Sequence, residues 1–383
     1  MNRSLVLLIL QLTNFVLPPA FGLANTRIDY IVPSLRIAKT LYAQDVLVFS
    51  FLCFIGYNTL INAPDGLTAL VWIVANCVLA RFCFASIAPF RRPLAVQYLL
   101  IFILFAVLVL NIFTIVFHID FTQVYFNQAY QRSELSKFEY RGTLRAFFPF
   151  IEPRQLAAFC LFFVYVSLVT GLSKWRDVCL FLLSALIIYL TMSKSTIYAS
   201  VALGACLVIM VCRVRTTLLL TICSVVSLMI FGWFGETSRF ALPSIDNLRL
   251  FFEAPDENRV AGYGWDTYLT GVYMSVQSFA EHWFLGVGLG NDAEFASSLN
   301  LRRQGAQGIF GIFIETGLVG ILLHFTLLSY FYKSVQKNIN KLYLRSYIIL
   351  LFLQFNLTGL YSLANPMWIA QSALFSSLFW GRK

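Results

Sequence analysis

Apolar and polar residues come in blocks along this chain instead of alternating. Long apolar runs occupy residues 4–24, 44–62, 66–88, 94–117, 155–172, 177–192, 196–212, 216–234, 306–332, 347–363 and 366–380. About 20 such residues wound into an α-helix cross the hydrocarbon of a bilayer. The pattern therefore predicts an all-α, polytopic membrane protein with about 11 spans. The segment from Asn25 to Gln44 reads either as a loop or as an interfacial helix, and a helix there brings the count to 12. The first run resembles a secretory signal, but no small-residue cleavage site follows it, so it is read as a span. Two long polar stretches interrupt the blocks, about His118–Arg154 and Gly235–Gly305. Loops of that length usually carry function, and a chain that only anchors or insulates has no need of them.

Composition supports one transmembrane domain over residues 1–383: 59% of the residues are hydrophobic, 12% are charged and the mean hydropathy is +0.76. A soluble domain carries about twice that charge. The 38 Phe and 18 Tyr suit lipid-facing and interfacial positions. All eight cysteines lie in or at the ends of apolar runs, with no CxxC pair. They read as small buried side chains, not as disulfides or zinc ligands. No internal repeat of 20–50 residues is visible.

The net charge of +10 raises the question of nucleic acid, and its distribution answers it. Arg81, Arg91, Arg92, Lys174, Arg176, Arg213, Arg215, Lys333, Lys337, Lys341, Arg345, Arg382 and Lys383 fall in one alternate set of loops, with a single acid, Asp177. Such loops face the cytoplasm. The two long polar stretches fall on the other side and hold thirteen of the 18 acids but only ten of the 28 cations. The basic excess is a topology signal. It puts the C-terminus inside and the N-terminus outside, or inside if 25–44 adds a helix.

Within the second long loop, Glu281 to Asp292 read "EHWFLGVGLGND", with glycine at every second position from Gly286 to Gly290. This is not a dinucleotide fingerprint. It lacks the GxGxxG spacing and a strand before it, and no Walker loop occurs elsewhere. The spacing predicts a chain reversal packed too closely for Cβ atoms, with backbone N–H groups free to face an anion.

Five stretches together resemble a known family. "HWFLGVGLGN" is similar to a P-x-x-G-V-G-x-G-N pattern in the large outer loop of the O-antigen polymerases and O-antigen ligases. Arg259 in "ENRVAGYGW" matches an Arg that precedes a Trp in those proteins. Glu315 to Gly320, "ETGLVG", matches an E-x-G-L-x-G helix start. "YLTMSKST" (189–196) matches a Ser-Arg motif, with Lys194 replacing Arg. "RGTLRAFFPFIEPRQLAAF" (141–159) resembles an Arg-Gly, Glu-Pro polymerase pattern. The matches run in the family's order over about 141–320. The ligases carry His-Asn about nine residues before the motif Glu, where this chain has Ala306 and Gln307. That departure favours the polymerase branch.

The resemblance implies a polyprenyl-diphosphate-dependent, inverting glycosyltransferase of the bacterial inner membrane with its active face in the periplasm. Its substrate would be an undecaprenyl-diphosphate-linked oligosaccharide, polymerised into O-antigen or a related polysaccharide. Membrane lipids and a chain-length regulator are the implied partners. An O-antigen ligase, and from another class a polysaccharide or lipid transporter, are the alternatives.

That chemistry needs cations on a departing diphosphate and a group that takes the acceptor proton. No DxD, HExxH or His-carboxylate signature occurs, so neither metal nor cofactor is expected. Arg259 is the first diphosphate ligand expected, since guanidinium binds phosphate bidentately; the alternative is pairing with Asp256 or Glu257. Lys194 either contacts phosphate or snorkels to headgroups. Arg141, Arg145 and Arg154 cluster in the first long loop, with Arg154 after Pro153 at a helix start. Glu152 either pairs with Arg154 or orients a sugar hydroxyl. Arg302 and Arg303 precede a span on the side where cations are disfavoured, and either bind an anionic substrate or anchor headgroups. Glu315, inside an apolar run, is either functional or a bonded structural acid. His282, Asp292 and Asp266 are further candidates for proton transfer, with interfacial packing the alternative for His282. Tyr263, Trp265 and Trp283 either stack on sugars or sit in the interface.

Overall fold

A computed structural model describes residues 43–85, 93–117, 139–140, 143–147, 153–170, 172, 174–192, 204, 265–299, 301, 308–358 and 367–381. The described part is helical, apart from one pair of two-residue strands. In chain order the helices are α1 (Ala43–Asn62), α2 (Leu67–Ala85), α3 (Pro93–Phe117), α4 (Pro153–Val169) and α5 (Trp175–Thr191). Then come α6 (Trp265–His282), α7 (Asp292–Ser298), α8 (Ile309–Val335), α9 (Lys341–Thr358) and α10 (Met367–Phe379). The strands β1 (Glu139–Tyr140) and β2 (Thr143–Leu144) pair antiparallel, Glu139 opposite Leu144.

Among the described residues, three helices, α1, α3 and α8, are long and apolar enough to cross a membrane, and α4 and α10 are shorter apolar helices. Eight of the apolar runs coincide with helices, seven to within three residues at either end, while α9 begins six residues before the run 347–363. The runs at 4–24, 196–212 and 216–234 lie outside the described residues. Two helices fall inside the second long loop, where none was expected: α6 and the short α7. α6 has no apolar run, but Thr270, Met274 and Ser278, four apart, are buried on one face while Val276 and Phe279 are exposed. Such a stripe makes a helix that lies against a neighbour; Met274 packs in one cluster with Ile314 of α8.

The centre of the bundle is α4. Thirteen of its 17 residues are buried, on every side of the helix, which marks a helix enclosed by others. It forms a hairpin with α5 and also packs on α9. Pro153 opens it, where the missing N–H costs nothing. A buried polar ladder fastens α4, α9 and α10. Gln354 Nε2 donates to the Ala158 carbonyl at 2.7 Å, and Gln371 Nε2 donates to Gln354 Oε1 at 2.9 Å. Tyr347 and Ser372 hydroxyls meet at 3.1 Å, and the Tyr165 hydroxyl donates to the Tyr343 carbonyl at 2.8 Å. Lipid tails are as apolar as leucine, so bonds of this kind supply association that burial alone does not. Among the described cysteines, Cys77, Cys83 and Cys160 are buried as expected, whereas Cys53 is exposed on α1 and Cys179 is half-buried. All five are free thiols. Cys53 lies on a helix whose outer face carries other exposed apolar side chains, such as Phe49 and Phe54.

Contacts between helices fix which residues share an end. At one end, Asp45 of α1 accepts from Arg81 Nε of α2 at 2.8 Å and from the Tyr330 hydroxyl of α8 at 2.5 Å. The Arg81 guanidinium lies 5.8 Å from the Tyr330 ring centre, and Gln44 Nε2 donates to Ser329 at 2.7 Å. At the other end lie the α1–α2 turn, the residues 283–291 and the start of α8. Asn58 and Asp45 are about 20 Å apart along α1 at 1.5 Å per residue. α9 ends beside the start of α8, since the Ile309 N–H donates to Asn356 Oδ1 at 3.2 Å. The Gln354–Ala158 bond then brings the start of α4, and with it the end of α5, to that same end.

Removing the Asp45 carboxylate leaves the Arg81 guanidinium and the Tyr330 hydroxyl without their common acceptor. Asp45→Ala is expected to lower unfolding stability by about 2 kcal/mol, read as a drop in Tm in detergent. The double variant Asp45→Ala/Arg81→Met is expected to lose less than the sum of its parts. Additive losses would show that the bond contributes nothing of its own.

Candidate functional site

The glycine-rich stretch folds back on a break in α8. Gly317 has φ 60° and ψ −154°, well outside the helical region. Only glycine adopts this readily, and a Cβ there would run into the Phe284 carbonyl. The break deprives neighbouring residues of intrahelical partners, and the stretch 283–288 supplies them. Val287 N–H donates to the Ile314 carbonyl at 2.8 Å and Gly288 N–H to the Glu315 carbonyl at 3.0 Å. In the other direction, Leu318 N–H donates to the Trp283 carbonyl at 2.9 Å and Val319 N–H to the Phe284 carbonyl at 3.2 Å. Gly286, at φ 71°, sits back to back with the break, and a Cβ on it would lie 2.5 Å from the Glu315 carbonyl carbon. Gly288 and Gly290 also have positive φ. The predicted reversal without room for Cβ atoms is observed at Gly286, against α8, and at Gly288, where a Cβ would lie 2.8 Å from that of Ala63, but not at Gly290, where a Cβ would make only ordinary contact.

Asparagines hold the reversal from the other side. Asn58 of α1 is buried, and its amide donates to the carbonyls of Leu285 at 2.9 Å and Gly286 at 3.3 Å. Asn62 donates to Asn58 Oδ1 at 2.7 Å, and Asn291 donates to the Asn62 and Val287 carbonyls at 3.3 Å each. None of the three was singled out in the sequence. The available signal was polar Asn at 58 and 62, four apart in an otherwise apolar run, because such residues in a span are rarely idle.

Glu315 is the seventh residue of α8, two before the break, and not the tenth as the sequence boundary implied. Its backbone carbonyl and its carboxylate are both engaged by the reversal: Oε1 accepts the Gly290 N–H at 3.2 Å. Asp292, in the first turn of α7, is its electrostatic neighbour. The two carboxylates and the Gly290 amide therefore share one corner at the end of the bundle, where Gly290 is exposed. A carboxylate held by one amide and faced by another acid keeps lone pairs free for a hydroxyl proton.

His282 ends α6, with its ring 41% exposed. Nε2 lies 3.9 Å from Glu281 Oε2, and the ring stands edge-on to Phe295 at 6.0 Å. Its backbone carbonyl, which accepts the Gly286 N–H at 2.8 Å, is the part that builds the reversal. Trp283 is 49% exposed and meets Phe284 edge-to-face at 5.4 Å, which leaves ring surface free at the site's margin.

Of the cations, Arg145 and Arg154 are described. Arg145 follows β2, and the next residues are pinned to the bundle: Ala146 N–H donates to the Leu190 carbonyl and Phe147 N–H to Asn111 Oδ1, both at 2.9 Å. Arg154 is the second residue of α4. Both thus fall at the end of the bundle that carries Glu315, on other elements of the same core. Arg141, Lys194, Arg259, Tyr263, Arg302 and Arg303 lie outside the described residues, as do the side chains of Trp265 and Asp266. Among the described residues, no three His, Cys, Asp or Glu side chains gather as a metal site would require.

No family model matches the chain, and no curated protein matches it.

The geometry makes a prediction about sides. Glu294 and Lys337 are both exposed and belong to opposite ends of the bundle. Glu294→Cys and Lys337→Cys are expected to react with a membrane-impermeant maleimide from opposite faces of sealed vesicles. Val287→Cys, at a position 6% exposed, is expected to stay unlabelled from either face. Labelling of the first two from one face would refute the arrangement.

Proposed function

We propose that this protein is a membrane glycosyltransferase that joins lipid-diphosphate-linked oligosaccharides into a polymer. The hydroxyl oxygen of one saccharide attacks the anomeric carbon of the other and its C–O bond to the diphosphate breaks. The hydroxyl proton passes to a carboxylate, and the lipid diphosphate leaves. In-line attack inverts the anomeric centre. The observation that carries this reading is the corner where Glu315, Asp292 and the Gly290 amide meet on the clamped glycine reversal. Glu315 takes the role of base. Asp292 stands beside it, and Trp283 offers a sugar platform. Arg145 and Arg154 lie at the same end and are suited to the departing diphosphate.

The asymmetry of basic loops supports a polytopic chain with this end away from the cytoplasm. The motif resemblance supports undecaprenyl diphosphate as the carrier, O-antigen or a related polysaccharide as the product, the periplasmic face of an inner membrane as the place and a chain-length regulator as partner. The pair Ala306–Gln307 weighs for polymerase over ligase. A second reading draws on the broken α8, because transporters build substrate sites from interrupted helices. Here the interruption is filled by backbone of the same chain, which favours transfer chemistry.

Purified protein in nanodiscs, supplied with undecaprenyl-diphosphate oligosaccharide, is expected to yield longer saccharides and free lipid diphosphate. Glu315→Gln is expected to lower that rate by about 100-fold or more, with Glu315→Asp intermediate. Alanine at Arg145 or Arg154 is expected to reduce kcat by about 100-fold if the guanidinium stabilises the leaving group. Arg259→Glu chains that still make long polymer would remove that arginine from the site. Saccharide moved across vesicles with its length unchanged would establish the transporter instead.

A further inference from the structure

In a regular α-helix each N–H donates to the carbonyl four residues earlier. A continuous α8 would therefore bond Leu318 N–H to the Ile314 carbonyl and Val319 N–H to the Glu315 carbonyl. Those same two carbonyls and two amides are the groups that the glycine stretch satisfies, through Val287, Gly288, Trp283 and Phe284. The two arrangements would satisfy the same four groups of α8. With the stretch docked, α8 is broken and its four groups bond to 283–288. With the stretch released, α8 closes on itself, and the freed groups of 283–288 turn to water at the exposed end of the bundle. Neither state leaves a buried backbone group without a partner, which is the condition for both to be accessible in apolar surroundings.

The two states differ in what they do to Glu315. In the docked state its carbonyl is held by Gly288 and its carboxylate by Gly290, beside Asp292. In the released state the carbonyl returns to Val319 and the carboxylate loses the Gly290 amide. Gly317 selects the docked state, since its φ of 60° makes the break and a Cβ would displace Phe284. Asn58 selects it from the other side by holding the Leu285 and Gly286 carbonyls.

We propose that Gly317 is a positioning residue for Glu315: by breaking α8 it lets the glycine stretch dock, and the docked stretch fixes that acid through both its carbonyl and its carboxylate. The role rests on the reading of Glu315 as the base in glycosyl transfer. The exchange of hydrogen bonds does not.

Hydrogen exchange read by mass spectrometry on the full chain in nanodiscs, with turnover measured in parallel, tests the proposal in wild type, Gly317→Ala and Asn58→Leu. In wild type, the amides of 287, 288, 318 and 319 are all expected to exchange slowly. In Gly317→Ala, 318 and 319 stay slow inside a closed helix while 287 and 288 exchange at least about tenfold faster. Asn58→Leu shifts 287 and 288 in the same direction and leaves 318 and 319 unchanged. In both variants kcat falls at least about tenfold with KM within about twofold, the signature of a displaced catalytic group. Loss of protection at 318 and 319 together with 287 and 288 means local unfolding and overturns the proposal. So does unchanged protection at 287 and 288, or full turnover with the stretch released. Should Gly317→Ala fail to accumulate, Asn58→Leu decides by the same criteria. A wild-type chain that transfers no sugar overturns the proposed function and this role of Glu315 with it, whereas active wild type with unchanged turnover in both variants overturns the role of Gly317 alone.

Discussion

A backbone amide or carbonyl buried in apolar surroundings must find a partner, and this requirement organises the candidate site. A break in a helix strands such groups on both sides. In α8 the break at Gly317 leaves the carbonyls of 314 and 315 and the amides of 318 and 319 to be satisfied. Water is the usual remedy at a surface; here another segment of the chain is used. That choice fixes much else. The inserted backbone has to lie against α8 without Cβ atoms between them, which accounts for glycine at 286 and 317. The carbonyls of 285 and 286 then face α1, which accounts for the amide of Asn58. The last turn before the break includes Glu315, whose side chain is brought to the tip of the inserted stretch.

Such a joint needs a frame that does not shift. Asp45, Arg81 and Tyr330 tie α1, α2 and α8 at the opposite end, about 20 Å along α1 from Asn58. With that end fixed, small changes at the reversal alter its own bonds before they tilt the helices. The remaining helices are fastened by the ladder through Gln354, Gln371, Tyr347 and Ser372. Apolar helices gain little from burying one another in lipid, so a few buried hydrogen bonds set which helices touch. The polar residues inside apolar runs thus divide the work. Those in α9 and α10 hold the bundle together with Gln44 and Asp45 of α1, and Asn58 and Asn62 of α1 hold the reversal.

The sequence makes some of this legible and hides the rest, for physical reasons. Apolar length alone marks α1, α3 and α8 to within three residues at either end, because hydrophobic runs and helices coincide in a membrane chain. Alternate glycines at 286, 288 and 290 announce a backbone that passes close to something. They do not say to what, since the partner in α8 is separated by about 25 residues and carries no matching pattern. Gly317 sits in "ETGLVG" like any small residue of a packed helix, and its positive φ shows only once the stretch 283–288 is in place. α6 escaped because its buried stripe is Thr270, Met274 and Ser278, which no hydropathy window registers. Asn58 and Asn62 were visible as polar residues four apart, but a helix end offers solvent as an equally good partner. Glu315 was legible as an acid within an apolar run, while the amide that holds it was not.

Under the proposed transfer from a diphosphate, the positions of Glu315, Asp292 and the two arginines at the end of the bundle that carries the reversal have a chemical reading. A departing diphosphate is strongly anionic, so acids beside it would oppose its binding, and a base has to approach from the acceptor's side. Of the described acids at that end, Asp292 and Glu294 open α7, Glu315 lies in α8, Glu281 lies in the last turn of α6 and Asp65 sits in the α1–α2 turn. Glu139 pairs opposite Leu144, beside Arg145. The described cations, Arg145 and Arg154, belong to the segment after β2 and to α4. α9 packs against both α4 and α8, and its Asn356 and Gln354 tie the two at this end. Attack on an anomeric carbon with inversion requires the incoming oxygen and the leaving group on opposite faces of that carbon. An arrangement with the acid corner on α7 and α8 and guanidinium groups on the segment after β2 and on α4 presents the two chemistries from different elements, which a single loop carrying both would not.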